Sequence, residues 1–207
     1  MGGTPAAWHV TTHDWAREVD LEHLAEIRRH PLRYAPTVAQ LVLEVLAYAA
    51  EEAQAVGAGR AAVVTLLPDG SVSVADDGRG TDTRHDDRGR PVRKPVIATK
   101  DLRFFDDPTA ELLPDGRPRR GMSVVAALSD WVVHTNRRRD GAWSRRYHHG
   151  VPATDLVPVD ADGTTGTTVH FLPDRTSVGP IPLAAAEISA ADAWPLLSVH
   201  VEDQRES

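Results

Sequence analysis

One glutamate stands alone in an apolar stretch of the sequence, and it is the first candidate for chemistry. Glu44 is the only charged residue between Leu41 and Ala50. A buried carboxylate is costly unless it is paired, hydrogen-bonded or turned toward a cavity, and a carboxyl group in such a place is suited to act as a general base. The alternative is that Glu44 lies at the edge of a helical apolar stripe and reaches water.

Two other segments carry side chains that could hold a ligand. Asp76 opens the run Asp-Asp-Gly-Arg-Gly (76–80) at the end of a predicted strand. A carboxylate there can accept hydrogen bonds, and the glycines let a ligand approach the backbone closely. Residues 164–168, Thr-Thr-Gly-Thr-Thr, precede another predicted strand, and their hydroxyls could fix a ligand or an ordered water. In isolation both segments are more often ordinary turns.

The histidines do not indicate a metal site. His148 and His149 are adjacent, so in a strand they would point to opposite faces of the sheet. His9 and His13 have helical spacing, but no Glu-containing metal motif surrounds them. We therefore expect no structural metal.

Composition limits the class of protein. The 207 residues include no Cys, which excludes disulfides and cysteine nucleophiles, and 41% apolar with 26% charged residues is typical of a globular protein. The net charge of −7 argues against nucleic-acid binding by the whole surface, so DNA contact is not expected for the chain alone.

Arginines cluster at 117–120, 137–139 and 145–146; we expect solvated loops, with contact to phosphate groups as the alternative. Neither a membrane span nor a signal peptide is visible, and the expected compartment is the cytoplasm.

The elements that must position the candidate groups follow from periodicity and turn chemistry. The pattern predicts a helix over 12–29 and a second helix from its N-cap Thr37 to about Val56, before Gly57. Gln40, three residues after Thr37, is predicted to complete a capping box. It further predicts, in chain order, a hairpin of 61–67 and 71–75, a helix at 122–128, a hairpin of 131–135 and 142–147, and a strand at 167–172. This order indicates an α+β fold with helices on one face of a mostly antiparallel sheet.

The length of the chain predicts a single domain over residues 1–207. We expect its core at about 14–175 and a polar, frayed C-terminal tail at about 201–207. Residues 81–121 are rich in Asp, Arg, Pro and Gly, and a long segment with so little periodicity is typical of a functional loop or lid.

Five segments carry the motifs of one family in that family's order. Segment 21–34 is similar to LEGLEAVRKRPGMY, 69–80 to DGSVSVxDNGRG, 123–129 to SVVNALS, 139–141 with 149–152 to RDG…RGVP, and 165–174 to TGTTVxFxPD. The chain from Leu21 to Pro173 thus resembles the N-terminal ATPase domain of DNA gyrase B and of its topoisomerase IV counterpart. This domain belongs to the superfamily that includes Hsp90, histidine kinases and MutL. The resemblance implies a two-layer α/β sandwich of that ATP-binding type, with a mixed, mostly antiparallel sheet and a long lid loop.

The resemblance also implies a site for ATP or another adenine nucleotide. Asp76 would accept a hydrogen bond from the adenine amino group, because a carboxylate can only accept and an exocyclic amine can only donate. Thr167 would share a water beside Asp76. Gly78 and Gly80 would let the purine lie close to the backbone, and Arg79 would lie at the mouth of the pocket.

At the phosphate end the chain departs from the family. By resemblance Glu44 would activate water for attack on the γ-phosphate, but the family's following Asp-Asn pair is replaced by Ala47 and Tyr48. A phenol is a poor substitute for the Asn oxygen that holds Mg²⁺, so no metal ligand is expected here, and the ring could fill the metal or triphosphate space. Of the phosphate-cradling loop GGLHGVGVS only Gly116 and Gly121 remain.

The favoured function is therefore a stand-alone adenine-nucleotide-binding domain with weak, absent or partner-dependent ATP hydrolysis. A repurposed pocket for another ligand, such as an aminocoumarin-like inhibitor, or a partner-binding pseudoenzyme is the first alternative, because a fold alone does not set function. An active Mg-dependent ATPase is the second. We expect neither a transducer domain nor a DNA-cleaving unit, hence not a complete topoisomerase, and no membrane partner.

Overall fold

The computed structural model describes residues 19–81, 83–85, 91–93, 97–105, 111–179, 183–189 and 194–205. His9, His13 and the first part of the helix predicted over 12–29 lie outside these residues. No helix in the described part of the chain is long and apolar enough to cross a membrane.

The helices of the described residues are short apart from one central helix. Their bounds are α1 Leu21–Arg29, α2 Pro31–Tyr34, α3 Val38–Val56, α4 Leu102–Phe105, α5 Met122–Ala127 and α6 Ala185–Ser189. The first helix begins later than predicted, because Asp20 is its N-cap and accepts a hydrogen bond from the backbone N–H of His23 at 3.1 Å.

Helix α3 has the ends that its sequence predicts. The Thr37 hydroxyl accepts the backbone N–H of Gln40 at 3.3 Å, and Gly57 closes the helix in the left-handed conformation with φ +66°. Only half of the predicted capping box forms, because the Gln40 side chain donates to the carbonyl of Tyr34 at 3.4 Å instead.

Ten strands are present in the described residues. Their bounds are β1 Arg60–Leu66, β2 Val72–Asp76, β3 Thr83–His85, β4 Pro91–Arg93, β5 Ser129–Arg138, β6 Gly141–His148, β7 Val151–Pro152, β8 Val157–Pro158, β9 Gly166–Pro173 and β10 Leu197–Asp203. Eight of them form one sheet in the order β10-β1-β2-β9-β5-β6-β7, with β8 paired to β6, while β3 and β4 form a separate hairpin. Every pair in the sheet is antiparallel except β1 with β10. The two predicted hairpins and the mixed, mostly antiparallel sheet are confirmed.

One face of the sheet is buried under the helices. Val64, Val74, Val169 and His134 are register partners across β1, β2, β9 and β5, and all four are buried. Because side chains alternate between the two faces of a strand, this row marks the face on which α3 and α5 pack. The α+β two-layer architecture predicted from the sequence is confirmed.

The C-terminal part of the chain differs from its prediction. The sequence predicts a polar tail from residue 201, but β10 continues through Asp203 and pairs in parallel with β1. The core likewise extends beyond 175, because Val178, Ile188 and Leu197 are buried in it. The alternation of apolar and polar residues in 197–203 suits a sheet edge, but only pairing with β1 makes this short segment a strand.

The lid-like segment 81–121 contains only short elements among its described residues. These are β3, β4, α4 and an isolated bridge between Leu112 and Pro118. Its last residues run directly into α5, whose six residues are all buried.

The start of β9 generates a stability prediction. Gly166 has φ +134°, and a Cβ there would lie 1.9 Å from the Asp76 carbonyl oxygen, whereas Gly163 has φ +82° with open space around it. We expect Gly163→Ala to lower the free energy of unfolding by about 1–2 kcal/mol, because alanine is strained in this backbone conformation. Gly166→Ala should lower it by about 1–3 kcal/mol more, because the β2–β9 pairing must also shift.

Urea unfolding of the two variants measures this difference. Equal losses at the two positions would contradict the close approach of β9 to Asp76.

Candidate functional site

A cavity of about 270 Å³ lies between α3 and the buried face of the sheet. Val45, Ala55, Met122 and Val169 contribute apolar surface. The polar groups at its wall come from α3, β2, the loop after β2, α4, β5 and β9: Tyr48, Glu51, Glu52, Asp76, Gly80, Thr81, Arg103, His134 and Thr167. Its volume is just below the roughly 300–1,000 Å³ of typical small-molecule sites, and its mixed lining resembles theirs.

Asp76 and Thr167 lie side by side in the wall of this cavity. Asp76 ends β2, and Thr167 lies at the start of the neighbouring strand β9. The Asp76 carboxylate accepts the backbone N–H of Gly78 at 2.8 Å and also that of Thr167. Burial raises the pKa of Asp76 to about 6 against the lowering effect of these two N–H groups, with the charges of Asp77 and Glu52 adding to the rise.

The loop after β2 packs against β5 and α3. A Cβ at Gly78 would lie 2.7 Å from the Asp76 carboxylate, and one at Gly80, whose φ is +77°, would lie 2.6 Å from the backbone carbonyl of Arg137. Both glycines are therefore required by close packing. Arg79 is exposed, and its guanidinium binds the Glu52 carboxylate through Nε at 2.6 Å and Nη2 at 3.1 Å.

Glu44 is completely buried and hydrogen-bonded to the end of the lid-like segment. Its two carboxylate oxygens accept the backbone N–H groups of Arg120 at 2.6 Å and Gly121 at 2.7 Å. Burial raises the pKa of Glu44 to about 8, although these N–H groups and the charges of Arg119 and Arg120 lower it. The alternative that Glu44 reaches water at the edge of α3 is therefore wrong.

Tyr48 lies beside a fully buried arginine. The Arg119 guanidinium lies 4.7 Å from the centre of the Tyr48 ring and 4.4 Å from that of Phe104. The Tyr48 hydroxyl donates to the buried carboxylate of Asp101 at 3.0 Å. Burial and the Asp101 charge raise the pKa of Tyr48 well above its ordinary value, so it is a neutral phenol.

Carboxylates surround the two arginines of this cluster. Arg119 Nη1 lies 2.8 Å from both Glu51 and Glu111, and Arg103 binds Asp101 through Nε at 3.0 Å and Nη2 at 2.7 Å. Arg103 Nη1 also donates to Glu51 at 2.7 Å.

The structure corrects one expectation about the basic clusters. Arg117 is exposed, but Arg119 has no exposed surface at all, so residues 117–120 are not simply a solvated loop. Aromatic and acidic partners that are distant in sequence bury Arg119, and no local pattern predicts them.

Most of the predicted site residues come together, with Gly116 as the exception. Asp76, Gly80, Thr167 and Tyr48 line the cavity. Gly78 adjoins Asp76, Arg79 binds the lining residue Glu52, and a Cβ at Gly121 would lie 3.0 Å from the Tyr48 hydroxyl. Gly116 instead lies in an exposed turn, where a Cβ would have no neighbouring atom within 4 Å.

Sequence reasoning missed other members of the site. Arg103, Glu51, Glu52 and His134 also line the cavity. The two glutamates follow Tyr48 by about one turn on α3, and this helical spacing was the available signal.

Comparison with known proteins shows which subunits the chain is similar to. The B subunit of DNA topoisomerase 4 from Bacillus subtilis is 31% identical over 162 residues, covering 75% of this chain and 25% of that protein. The mitochondrial DNA gyrase B subunit of Arabidopsis thaliana is 34% identical over 168 residues, covering 75% of this chain and 23% of that protein. The DNA gyrase B subunit of Micrococcus luteus is 35% identical over 161 residues, covering 74% of this chain and 22% of that protein. The chain is gyrase B-like over about three quarters of its length. No family model matches it.

This gyrase B-like chain spans about a quarter of the length of the curated relatives it matches. Its sheet and its cavity agree with the two-layer sandwich that the resemblance implied.

Burial of Glu44 predicts a pH dependence of stability. Its pKa is about 8 in the folded protein against an ordinary 4.5, so folding favours the protonated form. This stabilisation is complete below pH 4.5 and is lost as the pH rises through 8. The free energy of unfolding of the wild type, relative to that of Glu44→Gln, should fall by about 2–5 kcal/mol over this range.

Chemical denaturation of both proteins at a series of pH values measures the difference between their free energies of unfolding. The contribution of Asp76 cancels in this difference, because both proteins retain Asp76. A difference that is constant or that increases with pH would contradict burial of the Glu44 carboxyl group.

Proposed function

We propose that this gyrase B-like domain binds adenine nucleotides through their adenine end, with weak or absent ATP hydrolysis. The observation that carries the proposal is the position of the Asp76 carboxylate at the wall of the cavity, beside Thr167. Adenine presents an amino group that donates hydrogen bonds, and a carboxylate is an acceptor that matches it. Apolar surface from Val45, Met122 and Val169 suits the faces of a purine ring.

The state of Asp76 supports this assignment. Two backbone N–H groups hold its carboxylate in a fixed orientation, and a preorganised acceptor binds with less loss of entropy. The pair of Arg79 with Glu52 holds the loop after β2 against α3, close to the same part of the cavity wall.

The contacts of Glu44 argue against efficient hydrolysis. A general base must lie within hydrogen-bond reach of the water that it activates. Both Glu44 oxygens are hydrogen-bonded to backbone N–H groups, and the side chain has no exposed surface. In this arrangement Glu44 binds the end of the lid-like segment, and its oxygens are not available to activate a water that could attack a phosphate.

The residues beside Glu44 do not fit a divalent cation. Mg²⁺ prefers about six oxygen ligands in near-octahedral geometry, usually with several waters. The family's Mg²⁺-ligand position is Tyr48, a neutral phenol whose ring lies against Arg119. We therefore assign no step to a metal and propose that adenine recognition does not require one.

Substitution of Asp76 tests the proposal. The Asn oxygen in Asp76→Asn would continue to accept the backbone N–H of Gly78, leaving its NH₂ to face the donor NH₂ of adenine. We expect binding of ADP and adenosine, measured by calorimetry, to weaken by about 10- to 100-fold, which is about 1.4–2.8 kcal/mol.

Asp77→Asn is the matched control. The neighbouring Asp77 is exposed, and its carboxylate accepts the backbone N–H of Ala61 at 2.9 Å, so the control should retain wild-type affinity. No heat or thermal shift with any adenine compound, or equal effects of the two variants, would refute the proposed function.

A further inference from the structure

A cluster of ion-paired side chains lies at the wall of the cavity. Tyr48, Glu51 and Arg103 line the cavity, and Arg119 lies directly behind them. If adenine lies at Asp76, as the proposed function requires, the phosphates of a nucleotide need space and charge beyond the nucleoside. The groups near Glu44 therefore decide how much of a nucleotide the site can hold.

Arg119 fills the centre of this cluster. It is fully buried, with its guanidinium in contact with the rings of both Tyr48 and Phe104. Although burial lowers the pKa of Arg119, its hydrogen bond and charge interaction with Glu51 raise it above the ordinary value, so the guanidinium stays charged. A positive charge at this position repels a divalent cation.

The carboxylates that could attract a metal are also occupied. Glu51 Oε1 lies 2.7 Å from Arg103 Nη1 and 2.8 Å from Arg119 Nη1. Both oxygens of the buried Asp101 accept from Arg103, and Asp101 also accepts from the Tyr48 hydroxyl. A cation would have to displace guanidinium groups before these oxygens could bind it.

The same pairing removes positive charge that a triphosphate would need. All three nitrogens of the Arg103 guanidinium donate to Asp101 or Glu51. The backbone N–H groups of Arg120 and Gly121 donate to Glu44 and are not free to bind a phosphate. An anion placed here would face Glu51 and Asp101. Among the described residues Arg119 Nε and Nη2 have no hydrogen-bond partner, but Arg119 has no exposed surface and does not line the cavity, so these donors are not presented to an anion there.

We propose that Arg119 makes this site selective for the uncharged nucleoside part of adenine ligands, taking the place of a metal ion and closing the space for the triphosphate. The proposal rests on the proposed function and names its ligand class: adenosine-like compounds bind at least as tightly as ATP, with no help from Mg²⁺. Arg119 is thus the specificity-determining residue, and Tyr48 and Phe104 hold it in place.

Titration calorimetry of the full chain with adenosine, AMP, ADP and ATP, each with and without Mg²⁺, provides the test. For the wild type we expect the affinity to stay constant or to fall from adenosine to ATP as phosphates are added to the ligand. Adding Mg²⁺ should change each affinity by less than about twofold. Arg119→Ala removes the buried positive charge and opens the space beside the Tyr48 ring, while Glu51 keeps its ion pair with Arg103. ATP with Mg²⁺ should then gain at least about tenfold relative to adenosine, while adenosine itself is unchanged.

Two control variants separate this effect from a general loss of positive charge. Arg117→Ala removes an exposed arginine two residues away and should keep the wild-type preference. Arg119→Lys keeps a cation at the same position and should also remain insensitive to Mg²⁺. If thermal melting shows that Arg119→Ala does not fold, Tyr48→Asn removes one ring that holds Arg119 and should give the same gain for ATP with Mg²⁺.

The outcomes distinguish the two proposals. If the wild type binds adenosine but binds Mg-ATP at least about tenfold more tightly, the proposed selectivity is wrong and the proposed function stands. A folded Arg119→Ala or Tyr48→Asn with an unchanged ATP preference would overturn it as well. If no adenine compound binds the wild type, the proposed function itself fails.

Discussion

The arrangement of the site depends on one buried carboxyl group. Glu44 joins the central helix to the chain just before α5, by accepting the backbone N–H groups of Arg120 and Gly121. Because its side chain is fully buried, these two hydrogen bonds offset part of the cost of desolvation, and they hold the end of the lid-like segment against α3. Arg119 precedes these residues directly, so the same contact brings its guanidinium between Tyr48 and Phe104.

Two parts of the cavity wall consequently differ in chemistry. Asp76 is held by backbone N–H groups, and Gly78 and Gly80 permit close packing around it, so a carboxylate acceptor lies at the wall. Elsewhere in the wall Arg103 is ion-paired with Asp101, and the buried Arg119 behind it is ion-paired with Glu51. Under the proposed function, a gyrase B-like sheet provides a site for the adenine base, and the contacts around Glu44 leave no place for the phosphates.

Particular residues show how far sequence reasoning extended. The ends of α3 were predictable because Thr37 and Gly57 act through local backbone geometry, and the hairpin of β1 and β2 follows from a turn between two apolar runs. The burial of Glu44 was one of two open alternatives, since helix periodicity shows which stripe is apolar but not what covers its edge. The strand β10 was missed because its partner β1 is far away in sequence and its own pattern is short.

By itself the sequence determined the α+β layer order, the position of Asp76 at the end of a strand, and the likeness to gyrase B through motifs along three quarters of the chain. Only the tertiary structure decided that Arg119 is buried and paired while Arg117 is exposed, although both belong to one basic cluster. The physical reason is that local patterns report backbone preferences and apolar faces. Whether a charged side chain is buried or exposed depends instead on partners such as Tyr48, Glu51 and Phe104, which the fold brings together from distant parts of the chain.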